Sequence, residues 1–137
     1  MSDRHPYYAA IGGAIEADSG DPSLTKLTHG RIYPDQLPND SKLPAVRYAI
    51  VSNAPHHRFS SGDNVTATVQ FDVYADRKCQ GDAWGIDKAI RRVMDRAKME
   101  AEGFSQIHSI ADQRGRPFAE PGVYRVMSTY RLAGSAS

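Results

Sequence analysis

The sequence predicts an α+β domain: an antiparallel β-sheet built from two hairpins, with two α-helices packed on one of its faces. Three observations predict it. From Asn64 to Tyr74, Val65, Ala67, Val69, Phe71 and Val73 alternate with Thr66, Thr68, Gln70, Asp72 and Tyr74, the period of a half-buried strand. Ala83, Ile86, Ala89, Ile90, Val93, Met94 and Ala97 recur instead at helical spacing. The order helix, two strands, helix, two strands then suits paired hairpins, whereas parallel βαβ units need near-continuous apolar strands and more helices.

The first helix is expected over about residues 6–18. Pro6 can begin a helix without losing a hydrogen bond, Asp3 and His5 stand near as caps, and Tyr7, Tyr8, Ile11, Ala14 and Ile15 share one face. Gly12 and Gly13 each weaken it by roughly 1 kcal/mol relative to alanine, so docking must hold it. Ser19-Gly20-Asp21-Pro22 ends it.

Residues 23–45 read as connection around a short strand, Arg31 to Tyr33, opened by a turn glycine, Gly30, and broken by Pro34, Pro38 and Pro44. A connection this long is uncommon unless it has a job. Ala45 to Ser52 alternates as a strand, and Asn53 to Asp63 reads as a long hairpin tip before the strand Asn64 to Tyr74. Asp82 to about Glu102 is the second helix, closed by Gly103. Phe104 to Ala111 is a strand, Asp112 to Pro121 a polar hairpin loop, and Val123 to Leu132 the last strand, with Tyr124, Val126, Ser128, Tyr130 and Leu132 on one face.

A chain of 137 residues suits one core, so 1–137 is read as a single domain ending in a short tail, 133–137. Seventeen basic against sixteen acidic residues give a net charge of +1, which argues against a binder of nucleic acid that relies on counterion release. The single cysteine, Cys79, can form neither an internal disulfide nor a thiolate metal cage, and is compatible with a reducing cytosol. Tyr7 to Ile15 is too interrupted by glycine and too quickly followed by Glu16 and Asp18 for a signal peptide, and no apolar run approaches the roughly 20 residues that cross a bilayer.

The search for chemistry is negative. His56 and His57 are adjacent, so on an extended segment they point to opposite sides, and no third ligand stands at a metal-site spacing. Cys79 precedes a helix beside Arg77 and Lys78, yet no histidine and orienting acid stand at a recognisable distance. Acids such as Asp72, Asp76 and Asp82 read as background. Phosphate loops, dinucleotide fingerprints and nucleophile elbows are missing, so catalytic residues, metals and cofactors are expected to be none. Trp84 is the unusual residue: helical geometry sets it opposite the apolar stripe, among Lys88 and Arg91, as an interface anchor or a residue packed locally under the connection from Gly30 to Pro44.

Gly30-Arg31-Ile32-Tyr33-Pro34, followed by Leu43-Pro44-Ala45-Val46-Arg47-Tyr48 and ending at Ser52, resembles the small tail-completion, or tail-terminator, proteins of long-tailed bacteriophages and prophages. The run Thr-Val-Gln-Phe-Asp-Val-Tyr of residues 68–74, the turn to Gly81 and the helix with Ile86, Ala89 and Ile90 extend the resemblance over nearly the whole chain. It implies a non-enzymatic structural virion protein that forms a ring of six subunits, caps the head-proximal end of the tail tube and joins it to the neck. The partners implied are other copies of the chain, the tube protein and a neck protein, stopper or adaptor. Genomic DNA passes through the lumen without sequence-specific contact, no membrane is involved, and the ring is assembled in the host bacterial cytoplasm. A head-closure or adaptor protein on the capsid side is the nearest alternative, and a small ligand-binding module a distant one. A ring needs two axial surfaces and two lateral ones. The expected axial or intersubunit contacts are His56, His57, Arg58 and Phe59 in one loop and Arg114, Arg116 and Phe118 in the other, with Trp84, Lys88 and Arg91 as candidates for the ring interface.

Overall fold

The computed structural model describes residues 5–56 and 64–135. Helix α1 (Tyr7–Glu16) opens the fold, followed by α2 (Leu24–Thr28), β1 (Ile32–Pro34), β2 (Ala45–His56), β3 (Asn64–Asp76), α3 (Gln80–Met94), β4 (Ala97–Ala101), β5 (Phe104–Glu120) and β6 (Val123–Ser135). The six strands form one sheet in the order β1-β2-β3-β6-β5-β4.

The α+β class holds, but the sheet is mixed and there are three helices. β1 runs parallel to β2, Ile32 opposite Val46, while every other neighbouring pair is antiparallel. The missed helix, α2, is a single capped turn: the Lys26 amide donates to Ser23 Oγ at 3.1 Å, and His29 (φ 54°) and Gly30 (φ 77°) end it in the left-handed region. Gly30 thus closes a helix as well as opening a strand.

The second expected helix stops at Met94 rather than near Glu102. Asp95 is extended and Arg96 sits at φ 57°, after which Met99 turns inward between the exposed side chains of Lys98 and Glu100. Pairing with β5, Met99 opposite Ile107, overrides the helix propensity of Ala-Lys-Met-Glu-Ala. The expected loop Asp112 to Pro121 is strand as well. β5 runs to Glu120 opposite Val123, leaving the turn at Pro121 and Gly122, so Arg114, Arg116 and Phe118 lie on a strand and not in a loop. The expected tail is also partly strand, since Ala133 to Ser135 belong to β6.

One apolar cluster joins the helices to the inner face of the sheet. Ile11 and Ile15 of α1 and Ile86, Ile90 and Met94 of α3 meet Val69, Phe71 and Val73 of β3 and Val126, Tyr130 and Leu132 of β6. The Phe71 ring lies 5.5 Å from that of Tyr48 and 5.8 Å from that of Tyr130. The two tyrosines that open α1 fasten it: Tyr7 Oη donates to the carbonyl of Val65 at 2.6 Å, and Tyr8 Oη accepts from the amide of Ile50 at 2.9 Å. Because α1 also packs on β4, from the far end of the strand order, the sheet must curl around it.

Candidate functional site

The longest ladder of the sheet has two widely separated ends. The β3–β6 ladder runs from Asn64 opposite Ser135 to Asp76 opposite Val123. His56 of β2 stands opposite Asn64 at the first pair, whereas β5 and β6 turn at Pro121 and Gly122 beyond the last. At ~3.3 Å per residue the two ends of the ladder are separated by roughly 40 Å. Of the expected contact residues at the first end, His56 ends β2, and His57, Arg58 and Phe59 lie outside the described residues.

Between the two ends of the ladder, the face of the sheet away from the helices is polar and organised around a carboxylate. Asp72 is fully buried there although no helix covers it. Arg47 of β2 reaches its Oδ2 at 2.7 Å, Arg125 of β6 reaches Oδ1 at 3.4 Å, and Gln70 donates Nε2 at 3.0 Å. Arg47 also donates Nε to the carbonyl of Asp35, tying the connection after β1 to the sheet. The Arg125 guanidinium stacks 4.6 Å from the Phe118 ring centroid, so Phe118 supports this array from β5. Asp72 looked like a background acid because its two partners are contributed by strands remote in sequence. The only hint was an acid amid threonines on a strongly alternating strand.

On the opposite side of the sheet, Trp84 packs neither into the main core nor under the connection from Gly30 to Pro44. Its indole Nε1 donates to Tyr124 Oη at 3.0 Å while the residue remains 39% exposed. It sits over Gly115, where a Cβ would come within 2.9 Å of the Trp84 ring and 2.8 Å of an Asp87 oxygen, so glycine is needed for β5 to pass beneath α3. Lys88 is exposed beside it, and Arg91 reaches back to Asp87 at 3.5 Å. Sequence reasoning set the three on one helix surface and gave local packing as one reading of Trp84, but under the connection from Gly30 to Pro44 and not on Tyr124 and Gly115.

Asp87 is buried beneath these groups, and burial pushes its carboxyl above the ordinary range, with Ser128 and Arg91 opposing only part of that rise. Burial, and next the charge of Asp87, push the Tyr130 phenol up to about 12. Since protonated Asp87 is favoured by folding, its stabilisation is complete below the unfolded value and lost as pH rises through the folded one. Asp87→Asn should therefore be at least as stable as the native chain at pH 7 and lose any advantage as pH falls through the unfolded carboxylate range. Chemical unfolding over that pH span measures it, and an advantage that grows on acidification contradicts the assignment.

The buried carboxylates Asp72 and Asp87 both face arginines, and among the described residues no group of His, Cys, Asp and Glu side chains could hold a metal ion. Cys79 is exposed just before α3. No helix is long and apolar enough to cross a membrane.

Residues 15–133 match the sequence profile described as tail completion protein gp17. The chain belongs to this tail completion family. Two solved structures share the fold of this family member. One, titled the virion of a native gene transfer agent particle, is 15% identical, covers 93% of each chain and has a TM-score of 0.66. The other is 13% identical over 93% of this chain and 94% of its own, with a TM-score of 0.62. No curated protein matches. The tail completion family is made of structural phage proteins rather than enzymes, and this member is a structural protein of the virion tail.

Proposed function

We propose that the chain forms a ring of six subunits that caps the head-proximal end of the tail tube and joins it to the neck. Membership of the tail completion family carries this reading. A long ladder with widely separated ends supports it, as a ring in contact with the tube on one side and the neck on the other requires. The β2–β3 tip, with His56 to Phe59, serves one axial side, and the β5–β6 hairpin, with Arg114, Arg116 and Phe118, serves the other or a neighbouring subunit. Trp84, Lys88 and Arg91 form part of the ring interface. DNA passes through the lumen without being read.

Particles produced without this chain should accumulate as separate heads and tails in electron micrographs, with six-fold density missing from the tube end. Normally joined particles would refute the proposal. Trp84→Ala tests the lateral contact: its loss should reduce the amount of chain retained on tails at least fivefold, while the melting temperature falls by only a few degrees. Unchanged retention would assign Trp84 to the Tyr124 and Gly115 contacts alone.

A further inference from the structure

The strand at the end of the sheet order carries a charge pattern that reverses sign about its centre. From Arg96 to Glu102 the chain reads Arg-Ala-Lys-Met-Glu-Ala-Glu, with two cations before Met99 and two anions at the mirrored positions after it. Lys98 and Glu100 lie within β4, Arg96 and Glu102 flank it, and all four residues are exposed. None of the four has an ion-pair partner among the described residues.

This strand also stands at an open edge. β4 ends the strand order, so its outer backbone groups face no neighbouring strand. Between Met99 opposite Ile107 and Ala101 opposite Phe104 the register shift puts the extra residue into β5, which leaves β4 itself regular. A groove of about 340 Å³ lies between β4 and α1. Its helix wall is Ala10, Gly13, Ala14 and Ala17, and a Cβ at Gly13 would meet nothing within 4 Å, so no bulky side chain of that wall obstructs an approaching strand. Open edges are ordinarily blunted by charge, since they recruit other chains. Charges of one sign would repel an identical strand, whereas an order that reverses sign favours one partner in one register.

We propose that the β4 edges of two copies of this chain pair antiparallel across a two-fold axis at Met99. Lys98 of each copy then stands opposite Glu100 of the other, and Arg96 meets Glu102 where the strands end. The occupant is a second copy because the segment, read backwards, is its own charge complement: antiparallel pairing about Met99 matches all four charges. Parallel pairing in the same register would set like against like. Strand addition supplies backbone hydrogen bonds, and the ion pairs set directly opposite one another fix direction and register. Such a contact is isologous, so it consumes both edges and stops at two subunits. The edge is thereby closed in the free chain instead of recruiting further copies. The pairing is independent of the ring, whose proposed lateral contact lies on α3.

The test is sedimentation of the full chain over a range of concentrations, where a dimer should form. Lys98→Glu and Glu100→Lys each place like charges opposite one another twice, once on either side of the axis, so each should weaken pairing roughly tenfold or more. Both substitutions in one chain should restore it, because the order of charges within β4 is then merely inverted. An equal mixture of the two single variants should restore it as well, since the acidic centre of one faces the basic centre of the other. At dilutions where the native chain is itself monomeric, every variant should melt with it, because exposed substitutions leave the fold intact. A native chain with no dimer at any concentration, a dimer indifferent to both reversals, or a mixture that pairs no better than the single variants would each overturn the β4 contact.

Discussion

Phe71→Ala should lower the free energy of unfolding by about 4 kcal/mol, the largest single loss expected from this chain. The ring is fully buried on the helix side of β3, between Tyr48 and Tyr130. Its removal costs the transfer of the lost atoms and leaves a cavity that two stiff aromatic neighbours cannot close. In urea the midpoint should fall with the slope unchanged, because the surface exposed on unfolding is nearly the same. A loss below about 1 kcal/mol would mean that the curled sheet collapses onto the gap.

Asp72→Ala, one residue along and on the other side of the same sheet, should cost about 3 kcal/mol by a different mechanism. The substitution removes little apolar contact. Instead it leaves Arg47 and Arg125 facing one another across β3 without their shared carboxylate. Their side chains are 28% and 24% exposed, so water recovers part of the loss and keeps it below that of a fully buried pair. Asp72→Asn should cost about half as much, since the amide oxygen still accepts from one arginine. Raising the salt concentration should narrow the gap between native chain and Asp72→Ala. If the alanine variant unfolds within ~0.5 kcal/mol of the native chain, Asp72 does not organise the polar face.

These two neighbours show what the sequence could disclose. The alternation from Val65 to Val73 specified β3 and predicted that Phe71 faces a core, because one buried face imposes a period of two. The same alternation placed Asp72 outward but could not reveal its burial, which depends on Arg47 and Arg125 arriving from other strands. β4 and the outer half of β5 were hidden for related reasons. Ala97 to Ala101 is made of good helix formers and becomes strand only through its pairing with β5. Gln113 to Pro117 reads as loop because an edge strand tolerates charge, glycine and proline, Pro117 included. The parallel placement of β1 beside β2 is equally a matter of tertiary pairing, and three residues carry too little pattern to announce it. Among the candidate site residues, Trp84 was legible as an anomaly on its helix. Its indole partner, Tyr124, lies 40 positions away and left no local trace.

The two ends of the β3–β6 ladder give it a mechanical meaning. A pull applied between them runs along β3 and β6, at right angles to the hydrogen bonds that join the two strands through thirteen consecutive residue pairs. Loaded in shear, these bonds share the force and must fail together rather than unzip from one end. The subunit is then a tension member, built so that stress between whatever grips its two ends bypasses the contacts among its helices.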